Sequence, residues 1–343
     1  MCLAAIEGAT ISFWLERRVL VTGATGIVGS HLCTALLERG AYVVAQVRDD
    51  DPQSSFYRDA IAGRCSIVRG ELQRYEDCAR AINAHDIEVV FHLGAQTLVG
   101  TAVRDPLETF ESNVRGTYNL LEAARRMGSL VKAFIVASSD KAYGDSPVLP
   151  YTEEMPLSGR HPYDVSKSCT DLLTTCYGVT YGLPVAIARC GNIYGSGDLN
   201  WSRIVPGTIR SMCLGERPVL RSNGTSIRDY IYVADVVAAY LSLAEAIERP
   251  GVRGEAFNFS PESRVDVFEI VRTIARLMDS NLEPIVLDVA THEIKDQTLD
   301  ARKARAVLDW QPKWTLEAGL RETILWYRNV LRPGGKPLAD ALR

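Results

Sequence analysis

The stretch VLVTGATGIVGSHLCTALLERG, residues 19–40, decides the fold class. Val19 to Thr22 is a short β-branched apolar run that predicts a buried strand. Gly29 to Arg39 has helical periodicity and meets a stop at Gly40. Between them lies a turn with Gly23, Gly26 and Gly29 in GxxGxxG spacing, and with Thr25, Ile27 and Val28 among them. Glycines there permit a tight turn, close backbone approach to a pyrophosphate and close helix–strand packing. The helix start adds free N–H groups and a positive dipole end for the anion. Glycines alone often just make turns, but this position, after a first strand and before a helix, favours dinucleotide binding.

The alternation continues along the chain. Strands are expected at Tyr42–Val47, Ser66–Val68, Glu88–His92, Ala133–Ala137 and Val185–Arg189, with a long helix from Pro106 to Arg126 and another from Tyr163 to Tyr181. Repeated strand–helix–strand units imply crossover connections, hence an α/β fold with a doubly wound parallel sheet of the Rossmann type. After Arg189 the rhythm loosens, with helices expected near 205–214, 235–248, 266–278 and 316–331. Residues 1–190, with 230–260 returning, are read as the dinucleotide-binding domain. Residues 191–229 and 261–343 are read as a smaller α/β substrate lobe closing over the strand ends.

Composition narrows the class further. The 343 residues are 47% hydrophobic and 23% charged, which excludes collagen-like, disordered and disulfide-scaffold proteins. Lys and Arg number 38 against 42 Asp and Glu, a net charge of −4, so no nucleic-acid partner is expected. Charge interrupts every apolar stretch before the roughly 18 residues a membrane span needs. Met1 to Trp14 lacks a basic n-region and a cleavage site, so no signal peptide is read and a cytoplasmic location is expected. The eight cysteines (2, 33, 65, 78, 169, 176, 190, 213) form no CxxC and are expected as reduced, buried thiols. The five histidines (31, 85, 92, 161, 292) do not cluster, and no metal site is expected.

Three further segments carry chemistry. About 20 residues past the cradle, Arg48-Asp49-Asp50-Asp51 offers Asp49 for a ribose diol, which favours NAD, while Arg48 leaves NADP open. Ser138-Ser139-Asp140-Lys141 follows the fifth strand, where a doubly wound sheet has its crevice. Tyr163 and Lys167 stand four apart at the start of the next helix, so both lie on one face. The cation is expected to draw the phenol's pKa down from about 10. A YxxxK alone is usually an ordinary helix face; with the cradle and Ser139 it becomes a specific signal.

On these segments the chain resembles the extended short-chain dehydrogenases/reductases of the nucleotide-sugar epimerase/dehydratase family. The matches are VTGATGIVGSHL (21–32), VVFHLGAQ (89–96), NVRGTYNLLEAA (113–124), SSDKAYG (138–144), YDVSK (163–167), RCGNIYGSGD (189–198) and RDYIYVADV (228–236). Within the family it is most similar to the 4,6-dehydratases, and among those to the enzymes acting on CDP-glucose. Phe13-Trp14, Asp49, Ser139-Asp140-Lys141 and GNIYGSGD followed by Arg203-Ile204-Val205-Pro206 carry that likeness. The run Asp229-Tyr-Ile-Tyr-Val233 follows the broader family and leaves the nucleotide base open.

The resemblance implies a cofactor, a substrate and roles. Leu93, Gly94 and Ala95 would line the cofactor, Glu71 and Leu72 would lie near its adenine, and His92 would be structural. Asn192, Arg203 and Arg228 would meet the sugar nucleotide. Tyr163 would take the O4 proton while C4 gives hydride to the nicotinamide, with Ser139 hydrogen-bonded to O4. Lys141 would then remove the C5 proton, Asp140 would protonate the departing C6 hydroxyl, and the hydride would return to C6. Asp140 and Lys141 favour this dehydration over the alternatives, a 4-epimerase or a uronate decarboxylase, which would share the cradle, Tyr163 and Lys167. A non-catalytic dinucleotide sensor is a remoter alternative. Family members are commonly homodimers, and the apolar faces of the helices at 106–126 and 163–181 serve either that pairing or packing on the sheet.

Overall fold

The structure, a computed structural model, describes residues 13–289 and 294–331, so Cys2, His292 and Met1 to Ser12 lie outside the described residues. Strands β1 (Arg18–Thr22), β2 (Tyr42–Val47), β3 (Ser66–Arg69), β4 (Val89–His92), β5 (Ala133–Ser139) and β6 (Val185–Cys190) join Ala256–Phe259 in one seven-stranded sheet. The order across it is Ala256–Phe259, β6, β5, β4, β1, β2, β3, and every pairing is parallel. The expected doubly wound sheet is the one found, with strand ends moved by a residue or two.

Period-two alternation with apolar residues on both faces explains why these runs are central strands. Val19 and Val21 join one core with Val43, Ala45 and Phe91, and this core is covered by helices Ile27–Glu38 and Val233–Glu245. Leu20 faces the opposite core with Val44, Val90 and Phe134, covered by helices Tyr75–Asn83 and Gly116–Arg126. A third core, including Val205, Ile209, Ile270, Leu320 and Tyr327, lies in the segments after residue 190. The short strands Asn192–Tyr194 and Tyr230–Tyr232 pair parallel beside it.

Three sequence readings are modified by the structure. The helix expected from Pro106 to Arg126 is interrupted by a π turn at Glu111–Arg115, because Asn113 turns inward to serve two other segments. Helix Tyr75–Asn83 has no counterpart in the sequence reading, since its apolar side is only Cys78, Ala81 and Ile82 in a polar run. Of the thiols, Cys33, Cys78 and Cys190 are buried, whereas Cys65, Cys169 and Cys213 are half-buried and Cys176 is exposed on helix Pro162–Tyr181. Among the described residues no helix is long and apolar enough to cross a membrane, and no group of three His, Cys, Asp or Glu is placed to hold a metal.

The chain leaves β1 toward β2 on one side, and β4 lies on the other, so the sheet parts at the C-terminal ends of β1 and β4. Gly23, at φ +68°, passes so near the loop after β4 that a Cβ there would lie 2.8 Å from the Gly94 nitrogen. A Cβ on Gly29 would lie 2.1 Å from the Gly23 carbonyl oxygen, which fixes the first helix tightly on its turn. Gly29→Ala is therefore expected to destabilise the fold by about 1–3 kcal/mol, a fall of several degrees in melting temperature by thermal unfolding.

Candidate active site

Helix Ile27–Glu38 starts at Gly26 with no side chain capping it and no acidic residue in its first turn. Its amide dipoles are thus open to an anion at the point where the sheet parts. Thr22, at the end of β1, closes one wall of this cradle from beneath. Its Oγ1 accepts the Leu93 and Gly94 N–H groups at 3.1 and 2.9 Å and lies 3.0 Å from His92 Nδ1. With two donors already aimed at it, the hydroxyl gives its own proton to Nδ1. His92 therefore carries its proton on Nε2 and donates to Thr117 Oγ1 at 3.0 Å, and Thr117 donates to the Asn113 carbonyl. Burial, and then the charge of Lys167, push the His92 pKa down to about 3, which makes it a neutral structural link.

Asn113 extends this chain of bonds to helix Pro162–Tyr181. Its side chain accepts from the Gln96 N–H at 2.7 Å and donates to the Gln96 carbonyl and to Ser166 Oγ, both at 2.9 Å. Ser166 in turn donates to the Tyr163 carbonyl at 2.7 Å. Ala95 lies in the loop thus held between β4 and Asn113.

The far end of the cradle is built from β2 and β3. Arg48 pairs with Asp49 at 2.6 Å and reaches Glu108 at 3.5 Å, so two carboxylates flank its guanidinium. Leu72 wedges between Gly94 and Gly116, and its carbonyl is held by Asn119 Nδ2 at 2.9 Å. Asp77 accepts the Glu71 N–H at 3.0 Å, leaving the Glu71 side chain exposed. An uncapped helix start, a glycine turn, an acidic residue just past β2 and an apolar wedge after β3 fit a dinucleotide.

Ser139 ends β5 and caps a short 3-10 turn, Asp140–Tyr143. Its Oγ donates to Asp140 Oδ1 at 2.9 Å and accepts the Lys141 N–H at 3.2 Å. Ser168 ties that turn to helix Pro162–Tyr181 by donating to the Ala142 carbonyl at 2.9 Å. The helix starts with Pro162 in its first turn, which brings Tyr163 to the site. Tyr163 is buried, with the Ser139 hydroxyl near enough to its phenol to pull the pKa down.

The expected lowering of the Tyr163 pKa is not what the protein's own groups produce. Burial pushes the phenol up to about 12, and the cation that opposes this is Arg203. Lys167 instead aims its Nζ at the Ala137 carbonyl, 2.8 Å away. Burial brings Lys167 down to about 8, with Asp171 pulling the other way. Asp171, itself raised by burial, receives Ser138 and the Arg189 guanidinium, so the helix is locked to β5 and β6 by buried polar contacts.

The residues expected to meet the substrate are placed in different ways. Arg203 spans the crevice, bonding Asp198 at 2.9 Å and Thr97, in the loop after β4, at 3.1 Å. Asn192 is half-buried, its N–H bound to the Asp229 carbonyl at 2.7 Å. Arg228 is buried and donates to the carbonyls of Ile227, Ile294 and Lys295 at 2.7–2.9 Å, which fixes it in the wall of the crevice. Sequence reasoning missed Gln297, which is buried and accepts a hydrogen bond from Lys141 Nζ. Nothing in the run Asp296-Gln297-Thr298-Leu299-Asp300 marks it, because its partner is far away in the chain.

Residues 19–259 match the NAD dependent epimerase/dehydratase family. The chain belongs to that family. This family member is 30% identical to the CDP-glucose 4,6-dehydratase of Salmonella typhimurium, over 94% of this chain and 93% of that protein. It is 31% identical to the UDP-N-acetyl-alpha-D-glucosaminuronate decarboxylase of Bacillus cytotoxicus, over 92% of this chain and 99% of that protein. Among solved structures, the UDP-glucose 4-epimerase of Thermotoga maritima with UDP-glucose superposes with a TM-score of 0.84 at 30% identity, over 92% of this chain and 100% of that one. Three different reactions thus stand at nearly equal likeness. What separates them in this epimerase/dehydratase family member has to be sought in the side chains at the crevice.

The buried lysine gives a pH test of this geometry. Between about pH 8 and 10.5 the unfolded chain carries a proton on Lys167 that the folded protein has lost. Unfolding takes up that proton, so the destabilisation from burying Lys167 is fully present below pH 8 and fades as pH rises through that window. Lys167→Met is expected to melt a few degrees above the parent at pH 7, with the margin shrinking toward pH 10, followed by thermal unfolding across pH.

Proposed function

We propose that the chain is an NAD-dependent nucleotide-sugar 4,6-dehydratase, with a CDP-glucose-type donor, that forms a 4-keto-6-deoxy sugar. The observation that carries this reading is the pair Asp140 and Lys141 on one tight turn beside Ser139 and Tyr163. Removing water across C5 and C6 needs an acid and a base close together, and epimerisation at C4 needs neither. The two carboxylates flanking Arg48 support NAD, because a 2′-phosphate there would face Asp49 and Glu108 while a ribose diol would gain an acceptor.

When bound, NAD supplies the acceptor that oxidises C4 and the hydride that later reaches C6. The protein's groups manage the protons. Tyr163 takes the O4 proton, the charge of Arg203 favours its phenolate, Lys167 lies on the same helix face, and Ser139 orients O4. The C4 ketone acidifies C5, and neutral Lys141 removes that proton. The electron pair left on C5 expels the C6 oxygen, which receives a proton from Asp140 and leaves as water. Lys141 then returns its proton to C5. For the balance to close, the proton gained by Tyr163 has to reach Asp140, and the Ser139 hydroxyl, bonded to Asp140 and near the phenol, is the route between them. Asn192, Arg203 and Arg228 are proposed to hold the sugar nucleotide, with Arg203 also setting the field at Tyr163.

The reading also covers assembly and location. The helices around 106–126 and 162–181 pack side by side. They leave Leu107, Leu172 and Val179 exposed at 70%, 61% and 78%, the last two one heptad apart on one face. That stripe supports pairing with a second copy of the chain. A cytoplasmic location is proposed because NAD and nucleotide sugars are found there.

Three experiments test these points. Incubation with NAD and CDP-, dTDP-, GDP- or UDP-glucose, followed by mass spectrometry, is expected to show loss of one water from a single donor. Lys141→Met is expected to lose that activity about 100-fold or more while NAD binding by calorimetry stays unchanged. An isomer of unchanged mass would move the reading to a 4-epimerase, and loss of carbon dioxide from UDP-glucuronate to the decarboxylase. Separately, Leu172→Glu with Val179→Glu is expected to halve the mass seen by sedimentation, while a parent chain that is already monomeric would remove the pairing.

A further inference from the structure

The segment 294–300 is a strap laid along the turn that carries Asp140 and Lys141, and it is pinned at many points. Gln297 N–H donates to the Ile227 carbonyl at 3.0 Å, and the Thr298 carbonyl accepts from the Tyr151 N–H at 2.8 Å. Leu299 N–H donates to Asp229 Oδ2 at 2.8 Å, and Asp300 N–H to the Tyr151 carbonyl at 2.9 Å. Asp296 accepts the Ile227 N–H at 3.1 Å, and Arg228 grips the Ile294 and Lys295 carbonyls at 2.7 Å. Tyr151 stacks on Tyr143 of the catalytic turn, 4.8 Å between ring centres. Gln297 therefore has little freedom to move away from its neighbours.

Gln297 is wholly buried. Its Oε1 accepts from Lys141 Nζ, and its Nε2 has no hydrogen-bond partner in the structure. The Tyr151 hydroxyl lies close enough to feel the amide, but its own proton goes to the Gly144 carbonyl at 2.6 Å and it forms no well-directed bond to Nε2. We infer that Gln297 is the positioning residue for Lys141, holding Nζ in place through both protonation states that the reaction requires. This rests on the dehydratase reading above.

The chemistry of the amide explains the choice. An ammonium can only donate, so the amide oxygen faces it. A neutral amine also has a lone pair, and an amide rotated half a turn about its last bond presents its NH2 to that pair. A carboxylate at this position would serve the ammonium alone, and a hydrocarbon would serve neither state. Lys141 gains the C5 proton and gives it back in every turnover, so a partner that can both accept and donate keeps Nζ on target throughout. An unpartnered buried NH2 is otherwise unfavourable, because it forgoes the hydrogen bonds it would make in water.

The test uses the intact enzyme with NAD and the glucose nucleotide that the parent dehydrates. Gln297→Leu keeps the volume and loses both acceptor and donor; Gln297→Glu keeps the acceptor and loses the donor. Each is expected to lower kcat for water loss about 10- to 100-fold with KM within about twofold, the range for removing one hydrogen bond to a charged group. Because C4 oxidation is untouched, absorbance of the reduced nicotinamide should accumulate in the first turnover of both variants and stay low in the parent. Adding Gln297→Leu to Lys141→Met should change nothing further, since both act on one step. Parent-like kcat in either variant would overturn the inference. So would an equal loss of reduced-nicotinamide formation and of water loss, which is the pattern of general damage. A parent that removes water from no donor would overturn the dehydratase reading itself, and the inference with it.

Discussion

A buried file of hydrogen bonds, running from the loop after β4 through Thr22, His92 and Thr117 to the Asn113 carbonyl, holds the two halves of the site in register. It crosses from β1 to β4 at their last ladder pair, Thr22 opposite His92, and carries the link past the point where the main-chain ladder stops. Each side chain along it has its partners, so the network is rigid, and deleting one member would strand a buried partner at about 1–3 kcal/mol. The π turn follows from the same constraint. Asn113 lies in that turn and reaches both Gln96 and Ser166 with its side chain, while its carbonyl accepts from Thr117 and Thr170. Through Ser166 the file ends on the backbone of Tyr163, so cradle and phenol are set relative to each other by protein groups alone.

Around that frame the protein accepts ionisable groups in poor solvation. Lys167 and Asp171 are buried on one helix, with Arg189 facing them from β6, and burial moves the lysine toward neutrality while it raises the aspartate. Such arrangements weaken a fold and are characteristic of reacting sites. Tyr163 illustrates the balance. A cation one helical turn away suggests a lowered phenol, yet the loss of water around the ring is the larger effect, and the phenol rises. Arg203, brought from a later segment of the chain, is the cation that opposes this rise.

The family fold supports several reactions, and relatives at about 30% identity include a dehydratase, a decarboxylase and an epimerase. The frame described above suits all of them equally. On the proposed reading, selectivity for one chemistry lies in the few side chains that a single turn presents, here Asp140 and Lys141, and in the distant strap that seats against them.

Much of this was legible in the sequence, for local reasons. Runs such as Val19–Thr22 and Tyr42–Val47 are buried on both faces wherever they occur in such a sheet, so hydrophobicity alone marks them. The glycines at 23, 26 and 29 report a backbone geometry that only a tight strand-to-helix turn demands. Ser139, Tyr163 and Lys167 are visible because spacing along a strand end and a helix face is fixed by local geometry. Helix Tyr75–Asn83 was hidden because so little of it is apolar, and the π turn because its cause, Gln96 and Ser166, lies on other elements. Only the tertiary structure decided which groups share one dielectric environment. It put Arg203 near Tyr163, committed Arg228 to carbonyls, and set Gln297 against Lys141, a residue 156 positions away. Desolvation and long-range pairing depend on what the rest of the chain brings alongside, and no periodicity within a segment carries that information.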